Sequence, residues 1–154
     1  LSRPDAVSPH REFLAPSRFR EVLPDPDAPA PDQVTRAVFC TGKVYYDLAA
    51  CRKERNIADT VIIRLEQIYP LAREQLTFLL APYQKVRDFV WCQEEPSNMG
   101  AWGHLRNRLG HLFATSFRYA GRPPMACPAE GAKALHAAAQ KRLLAAAFGP
   151  RAQS

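Results

Sequence analysis

The residues best able to do chemistry in this 154-residue chain stand in three short polar segments, each directly after an apolar run. The segments are residues 41–43, 66–70 and 93–98, and together we call them the docking edge. Carboxylates, an ammonium group and amides of these kinds can form an acid and base pair, a phosphate cradle or a charged contact surface. The candidate residues are Lys43, Glu66, Gln67, Gln93, Glu94, Glu95 and Asn98.

Gly42 and Lys43 stand between a predicted strand and a predicted helix, where a phosphate-binding loop would lie. The full pattern GxxxxGK[ST] of such a loop is absent, however. The simpler interpretation gives Gly42 the tight turn between the two elements and pairs Lys43 with a nearby carboxylate. A nucleotide triphosphatase is therefore discarded.

The three glutamates of the docking edge offer one candidate acid and base pair. Glu94 and Glu95 are neighbours, so they project to opposite faces if the strand continues this far. Glu66 with one of them is the remaining dyad. Clustered acids at a sheet edge more often pair with arginine across an interface than hydrolyse a substrate. We therefore predict a surface that docks on basic groups, within reach of the arginines of the third predicted helix.

The histidines do not complete a catalytic or metal site in the sequence. His104 and His111 lie seven residues apart on a predicted helix, about 10.5 Å along its axis, which is too far for two zinc ligands. His10 and His136 have no partner in sequence, and no GxSxG pattern is present. We predict no catalytic, cofactor-binding or metal-ligating residue in this chain.

Three short apolar runs, at residues 37–40, 61–63 and 89–92, must carry the docking edge. Runs of this kind are typical of strands buried on both faces. Amphipathic helices are predicted between them, which gives a βαβαβ unit with right-handed crossovers and a parallel sheet. The predicted fold is a three-layer α/β/α sandwich, with ligands or partners at the carboxyl ends of the strands. The apolar helix positions are Val44, Leu48 and Cys51; Leu76, Leu79 and Leu80, after Pro70 opens the helix; Trp102, Leu105, Leu109 and Leu112; and Leu135, Ala139, Leu143 and Ala146, before a stop at Gly149-Pro150. A short strand is added at residues 117–120.

Residues 1–34 are predicted to form an extended lead-in to a domain at residues 35–150. Seven of the 14 prolines fall within the first 31 residues, which excludes a helix interior or a central strand there. Several apolar side chains make a free tail improbable, and we expect this segment to lie across a larger protein surface. They are Phe13, Leu14, Phe19, Val22 and Leu23.

The composition excludes several classes of protein. The net charge is +6, but the 21 basic residues are scattered and partly offset by 15 acids, which disfavours nucleic-acid binding. No apolar run approaches the roughly 18 to 20 residues that a membrane span needs. Four cysteines without CxxC spacing favour a reducing compartment. The first residue is Leu1, so we expect the chain to be part of something longer.

Four motifs give the chain a resemblance to a known family. Residues 40–48 (CTGKVYYDL), 63–70 (IRLEQIYP), 91–102 (WCQEEPSNMGAW) and 118–123 (RYAGRP) resemble the final domain of 2-oxoglutarate dehydrogenase, the thiamine-diphosphate-dependent decarboxylating component of its complex. The likeness reaches from Pro4 to about Phe148. It implies a transketolase C-terminal-like fold.

The resemblance also implies what the parent enzyme does. In the family, thiamine diphosphate and magnesium are held by two preceding domains, so no cofactor residue is carried over and the isolated chain is expected to be inactive. The parent decarboxylates 2-oxoglutarate in the tricarboxylic acid cycle and passes the succinyl group to a lipoyl arm of the succinyltransferase component. Its C-terminal domain supports the homodimer and the active-site channel, in the bacterial cytoplasm or the mitochondrial matrix.

Some positions leave alternatives open. Asp5 and Gly103-His104 depart from the family pattern, whereas residues 98–100 (NMG) and 122–124 (RPP) are similar to 2-oxoadipate dehydrogenases. A second hypothesis, from a different class, is an effector-binding module that uses the docking edge. The proline-rich lead-in favours the docked domain, because a free-standing module has little need of it.

Overall fold

Five strands and four helices follow one another in the part of the chain that the computed structural model describes, residues 18–126 and 133–149. The sheet order is β1-β3-β2-β4-β5, with β1 antiparallel to β3 and the other neighbours parallel. The mostly parallel sheet predicted from the apolar runs is confirmed. The elements are β1 (Val22–Leu23), β2 (Arg36–Cys40), α1 (Val44–Glu54), β3 (Thr60–Leu65), α2 (Arg73–Leu80), β4 (Asp88–Pro96), α3 (Trp102–Phe113), β5 (Phe117–Arg122) and α4 (Lys133–Phe148).

The helices cover both faces of the sheet and so complete the three predicted layers. On one face, Leu76 of α2 and Leu105 of α3 pack with Trp91 of β4. On the other face, Leu48 of α1 and Leu143 of α4 pack on the opposite side chains of the same strands. The continuous apolar runs are explained by this arrangement, because a strand between two helical layers has no polar face.

Two helices differ from the predicted ones in detail. Helix α2 begins at Arg73 rather than at Pro70, and the carbonyl of Pro70 accepts a hydrogen bond from the Gln67 side chain (2.9 Å). In α4, Leu135 is 57% exposed, and the predicted stripe is wrong at this end. The buried stripe runs through Ala139 and Leu143 to Ala147. Ala147 was not among the predicted apolar positions, which had Ala146 instead. The helix ends at Phe148, directly before Gly149-Pro150, as predicted.

The end of the lead-in joins the domain's own sheet. Val22 pairs with Leu65 at the edge of β3 and is buried, so this side chain packs on the domain's own sheet rather than on a larger protein. Leu23 pairs with Arg64 and is half-buried. Phe19 is exposed, whereas Phe13 and Leu14 lie outside the described residues.

Asp25 continues the hydrogen bonding between β1 and β3 by one more backbone N–H group of β3. Its carboxylate accepts a hydrogen bond from the backbone N–H of Ile62 (2.8 Å). Pro24 and Pro26 have no backbone N–H and cannot continue a ladder, so a side chain takes over the pairing. The same carboxylate receives both terminal nitrogens of Arg52 on α1, with Nη2 at 2.9 Å from Oδ1. The proline-rich segment is thereby fastened to both β3 and α1.

Asp88, at the start of β4, joins the amino ends of the neighbouring strands β2, β4 and β5. Asp88 accepts hydrogen bonds from Nε of Arg36 (2.7 Å) and from Nη2 of Arg118 (3.0 Å). Arg36 also donates to the carbonyls of Phe148 and Gly149 at the end of α4 (2.7 and 2.9 Å). Cations are favoured at a helix C-terminus, so this cluster anchors the last helix on the sheet.

We expect the Asp88 cluster to be lost in acid. Burial raises the pKa of Asp88, but the hydrogen bonds from Arg118 and Arg36 outweigh burial and leave the pKa below its ordinary value. A carboxyl group whose pKa is lower in the folded than in the unfolded protein stabilises the fold at pH values above its ordinary pKa. That stabilisation is lost as the pH falls through the folded-state pKa. Asp88→Asn should therefore lower the stability at neutral pH and flatten its decline below about pH 4. Urea unfolding between pH 2 and 7 measures this, with the exposed Asp32→Asn as control. An acid decline equal to that of the wild type would contradict the assignment.

No helix within residues 18–126 and 133–149 is long and apolar enough to cross a bilayer.

Candidate functional site

The docking edge predicted from the sequence is assembled by the order of the three inner strands. Strand β2 lies between β3 and β4, and all three run parallel. Their carboxyl ends therefore meet at one edge, and the segments that follow them lie side by side. The structure brings the predicted residues together, but it gives each of them a different role.

Lys43 and Glu94 form an ion pair across this edge. The Lys43 ammonium group contacts Oε1 of Glu94, which confirms the predicted pairing of this lysine with a nearby carboxylate. Gly42, just before it, has a φ of +68°, the left-handed conformation that glycine adopts without strain. The pair neutralises both charges, so neither group is left for phosphate binding.

Glu66 pairs with Arg64, a residue that the sequence analysis missed. The Nε of Arg64 lies 2.7 Å from Oε1 of Glu66. The guanidinium also lies over the ring of Tyr45 at 4.9 Å and over Tyr46 at 5.6 Å. Arginine is attracted to the faces of aromatic rings. Two features of the sequence could have predicted this cluster: the polar Arg64 that interrupts the apolar residues of β3, and the two tyrosines at the start of α1.

The carboxylates of the candidate acid and base pair differ in their surroundings. Glu66 and Glu94 each contact a cation of their own, as expected of structural carboxylates. Glu95 differs from both: it is exposed, and no ion pair to it occurs within the described part of the chain. Strand β4 continues to Pro96, so Glu94 and Glu95 lie on one strand as neighbours. The arginine Arg108 of α3 donates to the His104 carbonyl in its own helix (2.8 Å).

Gln93 is used inside the domain and not at its surface. The side chain is 1% exposed. Its Oε1 accepts hydrogen bonds from Trp91 Nε1 (2.8 Å) and from the backbone N–H of Trp102 (3.0 Å). Its Nε2 donates to the carbonyl of Met99 (2.8 Å) and lies 3.2 Å from those of Glu95 and Pro96. This residue is therefore removed from the predicted docking edge, and it holds segment 95–102 in place.

Three further residues, Asn98, Tyr119 and Gly100, constrain the same segment. Asn98 donates to the carbonyl of Met125 (3.0 Å) and accepts from its backbone N–H (3.1 Å). The Tyr119 hydroxyl lies 2.8 Å from the carbonyl oxygen of Glu95, and burial raises the pKa of Tyr119 to about 12, so the hydroxyl remains a donor. Gly100 has a φ of +66°, and a Cβ there would lie 2.9 Å from Nε2 of Gln93. The segment that presents Glu95 is thus held rigidly from several sides.

Gln67 is tied to the lead-in. Its Nε2 lies 3.3 Å from Oε1 of Glu21 and 2.9 Å from the carbonyl oxygen of Pro70. The backbone N–H groups of Glu66 and Gln67 both donate to the Glu21 carbonyl (2.9 and 3.0 Å). The docking edge and the lead-in therefore form one continuous surface.

Replacement of Gln93 by leucine is expected to destabilise the domain by about 1–3 kcal/mol, because Trp91 Nε1 and Trp102 N–H would lose their buried acceptor. Hydrogen exchange at Trp102 should accelerate more than at β2. Urea denaturation and exchange mass spectrometry measure the two effects, with the exposed Gln84→Leu as a matched control. An unchanged midpoint for Gln93→Leu would refute the role assigned to the amide.

The described cysteines are not activated nucleophiles. Cys40 on β2 and Cys92 on β4 are neighbours in the strand register, and both are free and buried. Burial raises the pKa of both thiols well above the ordinary value, which disfavours the reactive thiolate. Among the described residues, no group of three His, Cys, Asp or Glu side chains could hold a metal ion. His136 contacts Arg122 through Nδ1 at 2.9 Å, whereas His10 and Cys127 lie outside the described residues.

The fold and the docking edge define a three-layer α/β/α domain of the transketolase C-terminal type. A family model described as "2-oxoglutarate dehydrogenase C-terminal" matches residues 7–148. The chain belongs to this family.

Curated relatives agree with the family match. The chain is 43% identical over 150 residues to the 2-oxoglutarate dehydrogenase E1 component of Cupriavidus necator, which covers 96% of the chain and 16% of the relative. It is 44% identical over 146 residues to the protein of the same name from Haemophilus influenzae, covering 94% and 16%. It is 39% identical over 155 residues to the mitochondrial 2-oxoglutarate dehydrogenase of Caenorhabditis elegans, covering 97% and 15%. The chain thus spans about one sixth of the length of these relatives.

Proposed function

We propose that this chain is the C-terminal structural domain of the decarboxylating E1 component of a 2-oxoglutarate dehydrogenase complex. The family match and the identity to E1 relatives over nearly the whole chain support this. The parent enzyme would decarboxylate 2-oxoglutarate with thiamine diphosphate and magnesium, and pass the succinyl group to the lipoyl arm of the succinyltransferase component. Because the relatives are bacterial and mitochondrial, we place the parent in the bacterial cytoplasm or the mitochondrial matrix.

The residues of this domain do not fit the cofactor. A diphosphate needs a cradle of donors, but Lys43 is already paired with Glu94. Magnesium needs clustered oxygen ligands, and the carboxylates Glu66 and Glu94 face cations of this domain. We therefore propose that cofactor binding belongs to the preceding domains, and that this domain holds those domains and the dimer mate in position.

One observation carries the docking role: Glu95 is an exposed carboxylate, without an ion pair in the described part of the chain, on a segment that Gln93, Tyr119 and Asn98 hold rigid. A rigid charged group loses little conformational freedom when it binds a partner. We propose that Glu95 binds an arginine or lysine of the preceding domains or of the dimer mate. The effector-binding alternative has less support, since most charges of the docking edge neutralise one another within the domain.

A graft tests the proposed function. The region of the Cupriavidus necator E1 relative that aligns with this chain is replaced by the chain itself, and decarboxylation of 2-oxoglutarate is measured. We expect the folded graft to be active. A graft that folds and dimerises but has no activity would show that the domain does not serve this enzyme. A preference of the graft for 2-oxoadipate over 2-oxoglutarate would favour the related dehydrogenases instead.

Glu95→Ala in the graft is expected to weaken assembly. Removing one partner of an interfacial ion pair costs about 2 kcal/mol or more, which is roughly a 30-fold loss of affinity. Sedimentation measures the dimer dissociation constant for a contact with the dimer mate, and the thermal unfolding midpoint of the graft measures a contact with the preceding domains. The matched control is Glu54→Ala, an exposed carboxylate at the end of α1. A variant that keeps its assembly and loses turnover alone would assign chemistry to Glu95 and contradict the structural role.

A further inference from the structure

An aromatic side chain on α2 is left uncovered beside the lead-in. Phe78 is 79% exposed, although it lies in the middle of an amphipathic helix that packs on the sheet through Leu76. It borders a groove of about 370 Å³ between α2 and the lead-in. We call this the lead-in groove; its lining residues are Val22, Pro24, Glu74, Gln75, Phe78 and Leu79.

The lead-in groove lies close to the point where the chain enters the domain. Strand β1 runs antiparallel to β3, so the residues before Val22 lie toward the carboxyl end of β3. Glu21 fixes this path, because its side chain accepts hydrogen bonds from Gln75 on α2 and from Gln67. Phe19, two residues earlier, is 69% exposed. Two exposed phenylalanines therefore border the place from which any preceding polypeptide must arrive.

The length of the E1 relatives indicates how much polypeptide would precede this domain. The chain accounts for 16% of the length of its E1 relatives and matches a C-terminal family model. Phe19 and Val22 are three positions apart, a distance of at most about 11 Å. The polypeptide that precedes Phe19 therefore starts within contact distance of the groove, which Val22 lines.

We propose that the lead-in groove and Phe19 form the intramolecular docking surface for the preceding part of the same polypeptide. This inference rests on the proposed function, and it adds an apolar contact to the charged contact at Glu95. The chemistry of the groove specifies the occupant: an aliphatic or aromatic side chain against Phe78, Val22 and Leu79, with a basic residue beside Glu74.

A second copy of the chain fits this groove less well. In a two-fold interface the same patch meets itself, so residue i of one copy contacts residue j of the other and the reverse. The rim carries Glu74 beside the groove, and Glu21 lies next to it. Two such acidic rims facing each other would repel. A preceding segment of different composition has no such conflict.

The test uses the active graft of this chain on the Cupriavidus necator E1 relative. Trypsin cleaves after Arg18 and Arg20, which are exposed in this domain when it stands alone. In the graft we expect the docked polypeptide to protect both sites. Phe78→Ser should increase the rate of cleavage there at least tenfold, and the domain should unfold in a separate, earlier thermal transition. Leu135→Ser is the control, because Leu135 is also an exposed apolar residue but lies on α4, on the other face of the sheet; it should change neither.

The isolated chain provides the second measurement. Phe78→Ser should leave its denaturation midpoint unchanged, because the ring makes few contacts within the domain. Cleavage rates in the graft that are equal for wild type, Phe78→Ser and Phe19→Ser would overturn the proposal. So would a wild-type isolated chain that dimerises by sedimentation and becomes monomeric on Phe78→Ser, because the occupant would then be a second copy. An inactive graft whose trypsin sites remain protected would contradict the proposed function but not the docking surface.

Discussion

Trp91→Ala is expected to lower the free energy of unfolding of this chain by about 3–5 kcal/mol, as large-to-small changes of buried aromatics do. Trp91 is 0% exposed. It lies on β4 between β2 and β5, opposite Phe39 and Tyr119. Its removal would leave a cavity between the sheet and α3, and Oε1 of Gln93 would lose the indole donor.

Urea denaturation followed by circular dichroism measures the Trp91 effect without relying on tryptophan fluorescence. The matched control is Phe78→Ala, which also removes an aromatic ring but from an exposed position. We expect the control to change the free energy of unfolding by less than about 0.5 kcal/mol. A Trp91→Ala midpoint equal to that of the wild type would contradict the placement of this strand in the interior.

Asp25→Ala is expected to be comparably damaging, at about 3–5 kcal/mol. The carboxylate of Asp25 is fully buried, and Arg52 is nearly so. Without the carboxylate, the Arg52 guanidinium keeps, among the described residues, only the Thr60 carbonyl (3.2 Å), and the Ile62 N–H loses its acceptor. An unpaired buried charge is far more costly than the loss of the pair as a whole.

A double-mutant cycle separates these contributions. Asp25→Asn combined with Arg52→Met should cost less than the sum of the two single changes, because the second change removes the stranded charge. Asp27→Ala is the control, since this aspartate is two residues away and exposed. Additive single and double changes would show that the two side chains are not coupled, in conflict with the geometry of the pair.

The sequence was informative where a residue's environment follows from its neighbours along the chain. Strands β2, β3 and β4 were predictable because a continuous apolar run permits few alternatives, and Trp91 was predictable with them. The pairing of Lys43 followed from a glycine turn beside a cluster of acids.

Other features depend on contacts between distant parts of the chain. Asp25 and Arg52 are 27 positions apart, and nothing in a proline-rich segment indicates a buried carboxylate. Gln93 looks like a surface residue in a run of polar residues, but it lies on the same face of β4 as Trp91, and its side chain contacts Trp91 and Trp102. Leu135 fits the period of its helix, yet the buried stripe begins one turn later. In each case the partner, and not the local pattern, decides burial.

The way in which Asp25 completes the edge of β3 bears on aggregation. A sheet edge with unpaired N–H and C=O groups is a template for strands of other molecules. Here β1 pairs with Leu65 and Arg64, and the Asp25 carboxylate occupies the next outward donor, the N–H of Ile62. The prolines on either side have no N–H to offer an incoming strand. The two residues of β1 and the Asp25 side chain therefore block the addition of strands from other molecules along β3, which is rich in isoleucine and valine. Variants that lose Asp25 should form fibrils more readily than their loss of stability alone explains.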